Sequence, residues 1–245
     1  MALPALVLVH GGGLAADSWD LAVAEIRRLA PELTVLAVDL PGRRSKPGDL
    51  RDLTLADFVD SVVGDVESAG LQDIVIVGHS IGGVTLPGVV TELGAARVRE
   101  MIFAGAFLPP EGKSIVDSLP WPLASIARRF IKGGVPRETP RILTRFAYLN
   151  GVPSSRRRFM TGKLYPESLR LLAENVSRRG MPDTVPRTWI LTSRDRAIAP
   201  KLQRKNIEAL GGVQTLIEID TCHMVMVSEP ERLASVLVDR CRAYA

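Results

Sequence analysis

Six short runs rich in β-branched and other apolar residues recur along the chain, separated by stretches long enough for helices. The clearest is Ile74-Val75-Ile76-Val77, which is apolar at every position and so fits a strand buried on both faces. Strands that alternate with helices indicate a parallel sheet with helices on both sides. The fold class is therefore α/β, with a mostly parallel, doubly wound sheet. The predicted strands are 5–10, 34–38, 74–78, 98–104, 188–192 and 214–219.

Helix start and stop signals lie between these strands. Thr54 and Asp57 can form a capping pair for a helix that stops before Gly70. Pro200 suits the first turn of another helix, and Pro230 opens the last one. The predicted helices are 19–29, 55–69, 201–210 and 229–243.

Residues 109–185 interrupt the alternation of strands and helices. They contain many prolines and aromatic residues and have helical rather than strand periodicity. We expect them to form a helical lid inserted into one core domain made of 1–108 and 186–245. Lids commonly supply the apolar wall of a pocket and exclude water. Trp121 and Phe146 are therefore candidate substrate contacts, with packing inside the lid as the alternative.

The pentapeptide Gly78-His79-Ser80-Ile81-Gly82 fits the pattern G-x-S-x-G and lies between a predicted buried strand and a predicted helix. A turn this tight strains the serine and presents its Oγ at the carboxyl edge of the sheet. Glycine-rich turns match the pattern by chance, but its position directly after a strand gives it a mechanical meaning. We expect Ser80 to be a nucleophile and the N–H of Ile81 to face a developing oxyanion.

A second glycine-rich turn, Gly11-Gly12-Gly13, follows the first predicted strand. Glycines allow the backbone to approach a substrate carbonyl closely and to present N–H groups to it. A phosphate-binding loop is the competing interpretation, but neither of its glycine patterns is complete. We expect Gly12 to supply the second oxyanion donor, with Gly13 as the alternative, and Gly11 and Gly13 to lie beside the substrate.

The chain has three histidines, so few residues can serve as the base. His10 ends a buried strand and is expected to be structural. The side chain of His79, inside the pentapeptide, is expected to point away from the pocket of the serine. His223 follows the last predicted strand and is the candidate base. A structural role is its alternative.

The acid that orients the base is predicted to follow a strand between the serine and the histidine. Asp195 meets this condition, and the order Ser80, Asp195, His223 is the order of triads built on such a turn. Asp220 is the main rival. It is only three residues from His223, which makes it difficult for its carboxylate to reach the far side of the imidazole.

Composition excludes several other functions. The 245 residues include two cysteines, Cys222 and Cys241, which provide neither a disulfide framework nor a zinc site. Cys222 adjoins His223, but it is a weaker candidate nucleophile than Ser80. We predict no metal and no organic cofactor.

Charge and hydropathy give the expected partners. Residues 109–185 carry fourteen Lys and Arg against six Asp and Glu, yet no nucleic-acid recognition motif, so a solvated basic face is favoured over nucleic-acid binding. An electrostatic preference for an acidic small substrate stays open. No apolar run is long enough to span a membrane or to act as a signal peptide, so we expect a cytoplasmic protein that does not bind membranes. A homodimer is compatible with the sequence.

Together these motifs resemble the α/β-hydrolase superfamily across the whole chain. More narrowly, the chain is similar to the plant methylesterase and hydroxynitrile lyase branch and its bacterial relatives. The matching pieces are 9–11, 39–42, 78–83, 195–200 with Gln203, and 223–230.

Two residues distinguish the esterases from the lyases within this branch. The lyases carry a threonine where this chain has Gly11 and a lysine where it has Met224. Met224 is accordingly a candidate substrate contact. The resemblance implies cleavage of a small, largely apolar carboxylic ester or lactone through an acyl-enzyme. A lyase or cyclase that works by proton transfer, a ligand receptor and a pure binding protein are the alternatives.

Overall fold

The computed structural model describes residues 2–43, 45–119, 121–132, 135–136, 138–160 and 162–245. One six-stranded sheet, with strand order β2-β1-β3-β4-β5-β6, forms its centre. Every neighbouring pair is parallel, which confirms the predicted fold class. The strands are β1 Ala5–Val9, β2 Val35–Val38, β3 Ile74–His79, β4 Val98–Ala104, β5 Arg187–Thr192 and β6 Thr215–Ile219.

Helices cover both faces of the sheet. On one face α1 packs against α9, and on the other α2 packs against α3. The capping pair predicted for α2 is present, with Thr54 and Asp57 each accepting a hydrogen bond from the other's backbone N–H. The helices are α1 Asp20–Leu29, α2 Leu55–Ser68, α3 Gly82–Leu93, α4 Trp121–Lys132, α5 Arg141–Leu143, α6 Ser154–Phe159, α7 Pro200–Ala209, α8 Val225–Ser228 and α9 Pro230–Arg242.

The period-two alternation of strand side chains divides the interior into two cores. Leu6 and Leu8 of β1 pack with α1 and α9 on one face, whereas Val7 and Val9 pack with α2 and α3 on the other. All four side chains are fully buried, and each contributes roughly 1.5–3 kcal/mol of hydrophobic stabilisation. The central strands are therefore rigid supports for the loops at their ends.

The segment between β4 and β5 contains α4, α5 and α6. It is attached to the core by ion pairs, Lys163 with Asp20 at 2.8 Å and Arg156 with Glu231 at 2.5 Å. No helix in the described ranges is both long enough and apolar enough to cross a membrane.

The strand order places a crevice between β1 and β3. The chain leaves β1 toward β2 on one side and then returns to β3 on the other, so the loops that follow β1 and β3 diverge. In open parallel sheets, ligands bind outside the carboxyl ends of the strands at such a switch point. The glycine turn after β1 and Ser80 after β3 both lie there.

Candidate active site

Ser80 occupies a strained turn between β3 and α3. Its φ is 53°, and within the described residues it is the only non-glycine residue with a positive φ. A non-glycine residue in this region costs free energy that the surrounding structure must supply. The turn also needs glycine on both sides, because a Cβ at Gly82 would lie 2.6 Å from the carbonyl oxygen of His10, and one at Gly78 would lie 2.8 Å from that of Gly82.

Ser80, His223 and Asp195 form one continuous chain of hydrogen bonds. The Nε2 of His223 lies 2.9 Å from the Oγ of Ser80, and its Nδ1 lies 2.7 Å from Oδ2 of Asp195. Because an ionised carboxylate only accepts hydrogen bonds, the proton of the neutral imidazole belongs on Nδ1, and Nε2 is free to accept the hydroxyl proton. All three residues are buried.

The carboxylate of Asp195 is fixed by its own loop. Its Oδ1 accepts hydrogen bonds from the N–H groups of Ala197 and Ile198, each at 2.8 Å, and its Oδ2 accepts one from the hydroxyl of Thr192 at 2.9 Å. Burial by itself raises the pKa of Asp195, but the attraction of His223 and these hydrogen bonds outweigh it, so the net pKa is lowered. The group is therefore an anion at neutral pH.

Gln203 supports this loop from α7. Its amide nitrogen donates to the carbonyl oxygen of Ile198 at 2.8 Å and to the hydroxyl of Thr192 at 2.9 Å. Its amide oxygen accepts hydrogen bonds from the N–H of Thr192 and the indole of Trp189. The glutamine noted in the family resemblance thus connects α7 to the turn that carries Asp195.

The rival acid lies elsewhere. Asp220 is exposed and pairs with Arg194 at 3.0 Å and with the hydroxyl of Ser193 at 3.0 Å. The imidazole of His223 is instead occupied by Asp195 at Nδ1 and by Ser80 at Nε2.

The other two histidines are buried and neutral. Burial and the charge of Arg43 lower the pKa of His10 to about 3, and burial and His223 lower that of His79 to about 3. His10 accepts a hydrogen bond from the N–H of Leu40 at its Nε2. Neither imidazole can therefore act as a base that accepts a proton at neutral pH.

His79 has a closer relation to the base than the sequence indicates. Its Nε2 donates to the backbone carbonyl of His223 at 3.0 Å, and the two rings lie 4.7 Å apart. His79 therefore supports the loop that carries His223, a role that the sequence did not indicate, and it is also among the residues that line the cavity.

Two backbone N–H groups beside Ser80 are available to a ligand. Within the described residues, neither Gly12 N–H nor Ile81 N–H donates a hydrogen bond to a protein acceptor. The N–H of Gly13 is occupied, because it donates to Oε2 of Glu167 at 3.0 Å. This geometry favours Gly12 over Gly13 as the partner of Ile81.

A cavity of about 380 Å³ opens over these groups. Ser80, His223, Gly12, Ile81 and Met224 all line it, and so does Gly13. Many of the other lining residues belong to the segment between β4 and β5, and most of these are aliphatic. The aliphatic ones include Ile115, Leu119, Leu143, Leu164, Leu169 and Leu172.

Three expected substrate contacts lie outside the lining of this cavity. Trp121 and Phe146 are 79% and 63% exposed. The strongly amphipathic α4 directs Trp121 to solvent, and Phe146 packs under the guanidinium of Arg196 at 4.8 Å. Gly11 instead allows the backbone to pack closely against Ser80, because a Cβ there would lie 2.8 Å from the Cβ of Ser80.

Motifs did not reveal several other residues at the site. The ring of Tyr148 lies 5.2 Å from that of His223, and its carbonyl accepts the N–H of Met224 at 3.2 Å. Arg43 and Glu167 form a buried ion pair beside Gly13. The glycine-rich turn indicates a backbone that needs support. No local sequence pattern identifies Arg43 and Glu167 as that support, because they lie 124 positions apart.

In the described part of the chain, the cysteines and the metal-ligating side chains do not form a second reactive centre. Burial raises the pKa of the Cys222 thiol, which disfavours a thiolate beside His223. Within the described ranges, His, Cys, Asp and Glu side chains form no group of three that could hold a metal ion.

Comparison with known proteins agrees with this architecture. Residues 6–236 match the model of the alpha/beta hydrolase family. A carbendazim-hydrolysing esterase from a Nocardioides species is 30% identical over 52% of this chain and 52% of its own length. Methylesterase 7 of Arabidopsis thaliana is 24% identical over 98% of this chain and 96% of its own.

A solved structure shows the same fold. It is an extracellular α/β-hydrolase from a Paenibacillus species, reported to share structural and functional homology with tobacco salicylic acid binding protein 2. It superimposes with a TM-score of 0.84 at 24% identity, covering 96% of this chain and 98% of that one. From the family match, the chain is a hydrolase that belongs to the alpha/beta hydrolase family, and it is similar to methylesterases within that family.

Proposed function

We propose that the protein is a serine esterase that cleaves a small carboxylic ester or lactone through an acyl-enzyme. The observation that carries this proposal is the unbroken chain of hydrogen bonds from Asp195 through His223 to Ser80, at the floor of a cavity. Nucleophile, base and orienting acid within hydrogen-bond reach of one another constitute the arrangement that activates a serine.

In the first step Ser80 Oγ attacks the carbonyl carbon while its proton moves to Nε2 of His223. The new C–O bond produces a tetrahedral intermediate whose oxyanion accepts hydrogen bonds from Gly12 and Ile81. Each such donor is worth roughly 2.7–4 kcal/mol in the transition state. His223 then returns the proton to the leaving alkoxide, which departs as an alcohol.

In the second step water replaces the alcohol. His223 removes a proton from the water, the hydroxide adds to the acyl carbonyl, and the collapse of the intermediate returns the proton to Ser80 and releases the carboxylic acid. Asp195 keeps the imidazole in the tautomer that both steps require and stabilises the imidazolium between them.

The cavity restricts the substrate. A volume of about 380 Å³ fits a small organic ester, and the aliphatic wall from residues 109–185 favours a largely apolar one. We propose that these residues act as the lid of the pocket and limit the access of water to the acyl-enzyme.

Labelling and turnover together test the proposal. The wild type and Ser80→Ala are treated with a fluorophosphonate probe and then assayed with small aryl and methyl esters. We expect the wild type to be labelled and to hydrolyse the esters, and Ser80→Ala to do neither. A wild type that is neither labelled nor active would contradict the proposal, and labelling without turnover would favour the lyase, cyclase or receptor alternatives.

A further inference from the structure

A buried ion pair lies directly behind the glycine turn. Nη2 of Arg43 and Oε2 of Glu167 are 2.6 Å apart, and their side chains are 0% and 10% exposed. Arg43 follows β2 in the core, whereas Glu167 belongs to the segment between β4 and β5. An ion pair this deeply buried requires good geometry and further hydrogen bonds to offset the loss of hydration.

The further hydrogen bonds all go to the two loops on either side. Oε2 of Glu167 accepts the N–H of Gly13 at 3.0 Å, and Oε1 accepts the N–H of Ser168 at 2.8 Å. The guanidinium of Arg43 donates to the carbonyl of Leu14 and, at 3.4 Å, to that of Pro166. The pair therefore binds the glycine turn and the 166–168 stretch to each other.

The glycine turn needs such support. Three consecutive glycines have wide conformational freedom, and Gly13 adopts a φ of +68°. An oxyanion donor must keep its N–H aimed at one point within a few tenths of an ångström. Within the described residues, Glu167 supplies the only side-chain acceptor for an N–H of Gly11, Gly12 or Gly13.

We propose that Glu167, neutralised by Arg43, is a positioning residue that holds Gly12 N–H in the oxyanion hole. This inference rests on the proposed serine esterase function. The carboxylate accepts the N–H of Gly13 and so fixes the peptide plane between Gly12 and Gly13. This restricts the backbone rotation of Gly12 and therefore the direction of its own N–H. A carboxylate that also lines the cavity would repel a developing oxyanion, so its charge must be cancelled by the guanidinium.

The two partners therefore have unequal roles. Glu167→Ala removes the acceptor of the Gly13 N–H, whereas Arg43→Met removes the donor to the Leu14 carbonyl and also leaves an uncompensated negative charge beside the oxyanion. Arg43→Met is expected to lower kcat more than Glu167→Ala, and the double variant is expected to recover to the level of Glu167→Ala. A pair that only stabilised the fold would not give this order, because both single variants and the double variant would keep the kcat of their folded fraction.

The experiment compares kcat and KM for p-nitrophenyl acetate, with each variant's folded fraction measured by circular dichroism. For Glu167→Ala we expect kcat to fall about tenfold to a hundredfold with KM within about twofold, somewhat less than the loss of a whole oxyanion donor. Glu167→Gln keeps an amide oxygen as an acceptor for Gly13, so it should retain more kcat than Glu167→Ala. If Glu167→Ala fails to fold, Glu167→Gln provides the comparison with the wild type.

An inhibitor separates transition-state from ground-state effects. A trifluoromethyl ketone forms a tetrahedral adduct with an oxyanion, so its inhibition constant should weaken by the same factor as kcat/KM. Arg156→Met is the matched control, since it removes another ion pair between the inserted segment and the core without touching the glycine turn. Folded Glu167 variants that match this control in kcat and in the inhibition constant would overturn the inference.

A readout that needs no turnover keeps the two proposals apart. Amide hydrogen exchange in the peptide that covers residues 10–19 should be faster in Glu167→Ala than in the wild type and in Arg156→Met. Unchanged exchange would refute the positioning role even in an active enzyme. If the wild type proved inactive on esters, the proposed function would fail, and faster exchange would still support the structural step of this inference.

Discussion

His10 and His79 make stability sensitive to mild acid. Both imidazoles are completely buried, and their pKa values are lowered from 6.5 to about 3. Burial is the largest cause for both, followed by the charge of Arg43 for His10 and by His223 for His79. In the unfolded chain both histidines titrate near their ordinary pKa, so the unfolded state binds more protons between pH 6.5 and pH 3.

The sign and size of the effect follow from this difference. Because the folded pKa values are depressed, stability is fully present above pH 6.5 and is lost as the pH falls toward 3. At pH 5 the gap is about 1.5 pH units, which at 1.36 kcal/mol per unit gives roughly 2 kcal/mol for each histidine. Together they remove about 4 kcal/mol, a large share of the 5–15 kcal/mol that is typical of a folded domain.

Urea unfolding at pH 7, 6 and 5 measures this loss directly. We compare the wild type with His10→Asn and His79→Asn, each of which lacks one buried imidazole. The free energy of unfolding of the wild type should fall by about 4 kcal/mol from pH 7 to pH 5, and that of each variant by about half as much. Equal pH dependence in all three proteins would refute the reasoning, whatever their stability at pH 7.

Three further predictions concern the support of the site. Asp195→Asn should lower kcat by about 10⁴-fold, as the same change does in a well-studied triad, whereas Asp220→Asn should stay within about twofold; equal losses in ester assays would contradict the assignment of the acid. Gly82→Ala should cost roughly 1–3 kcal/mol, since the new Cβ meets the His10 carbonyl at 2.6 Å, and an unchanged Tm would count against it. Gln203→Leu leaves buried hydrogen-bonding groups without partners, so Tm and kcat should both fall. An unaltered kcat would show that the loop that carries Asp195 keeps its conformation without Gln203.

The parts of the molecule that sequence predicts well are those with a local period. The parallel sheet follows from apolar runs such as Ile74–Val77, and the strand ends then fix where Ser80, Asp195 and His223 emerge. Each predicted strand ends within one residue of the observed end. The glycines at 78 and 82 indicate a turn with no space for side chains, which the contacts at both positions bear out.

The contacts of residues 109–185 could not be predicted in the same way. Trp121 and Phe146 are large and apolar, yet both side chains are mostly exposed, because the side that a segment turns toward the core depends on packing far along the chain. No sequence pattern around Glu167 indicates its role, because its partner Arg43 follows β2 whereas Glu167 lies between β4 and β5. Polar pairs of this kind are set by the tertiary structure alone.

The segment between β4 and β5 contacts each of the three loops on which the proposed chemistry depends. Tyr148 accepts a hydrogen bond from the loop of the base at Met224, Asn150 donates at 2.9 Å to the loop of the acid at Arg194, and Glu167 accepts one from the glycine turn. A motion that lifted residues 148–167 as one body would break all three contacts and disorder the site. Substrate exchange that keeps these three contacts avoids this cost, so we expect Tyr148, Asn150 and Glu167 to stay in place during turnover.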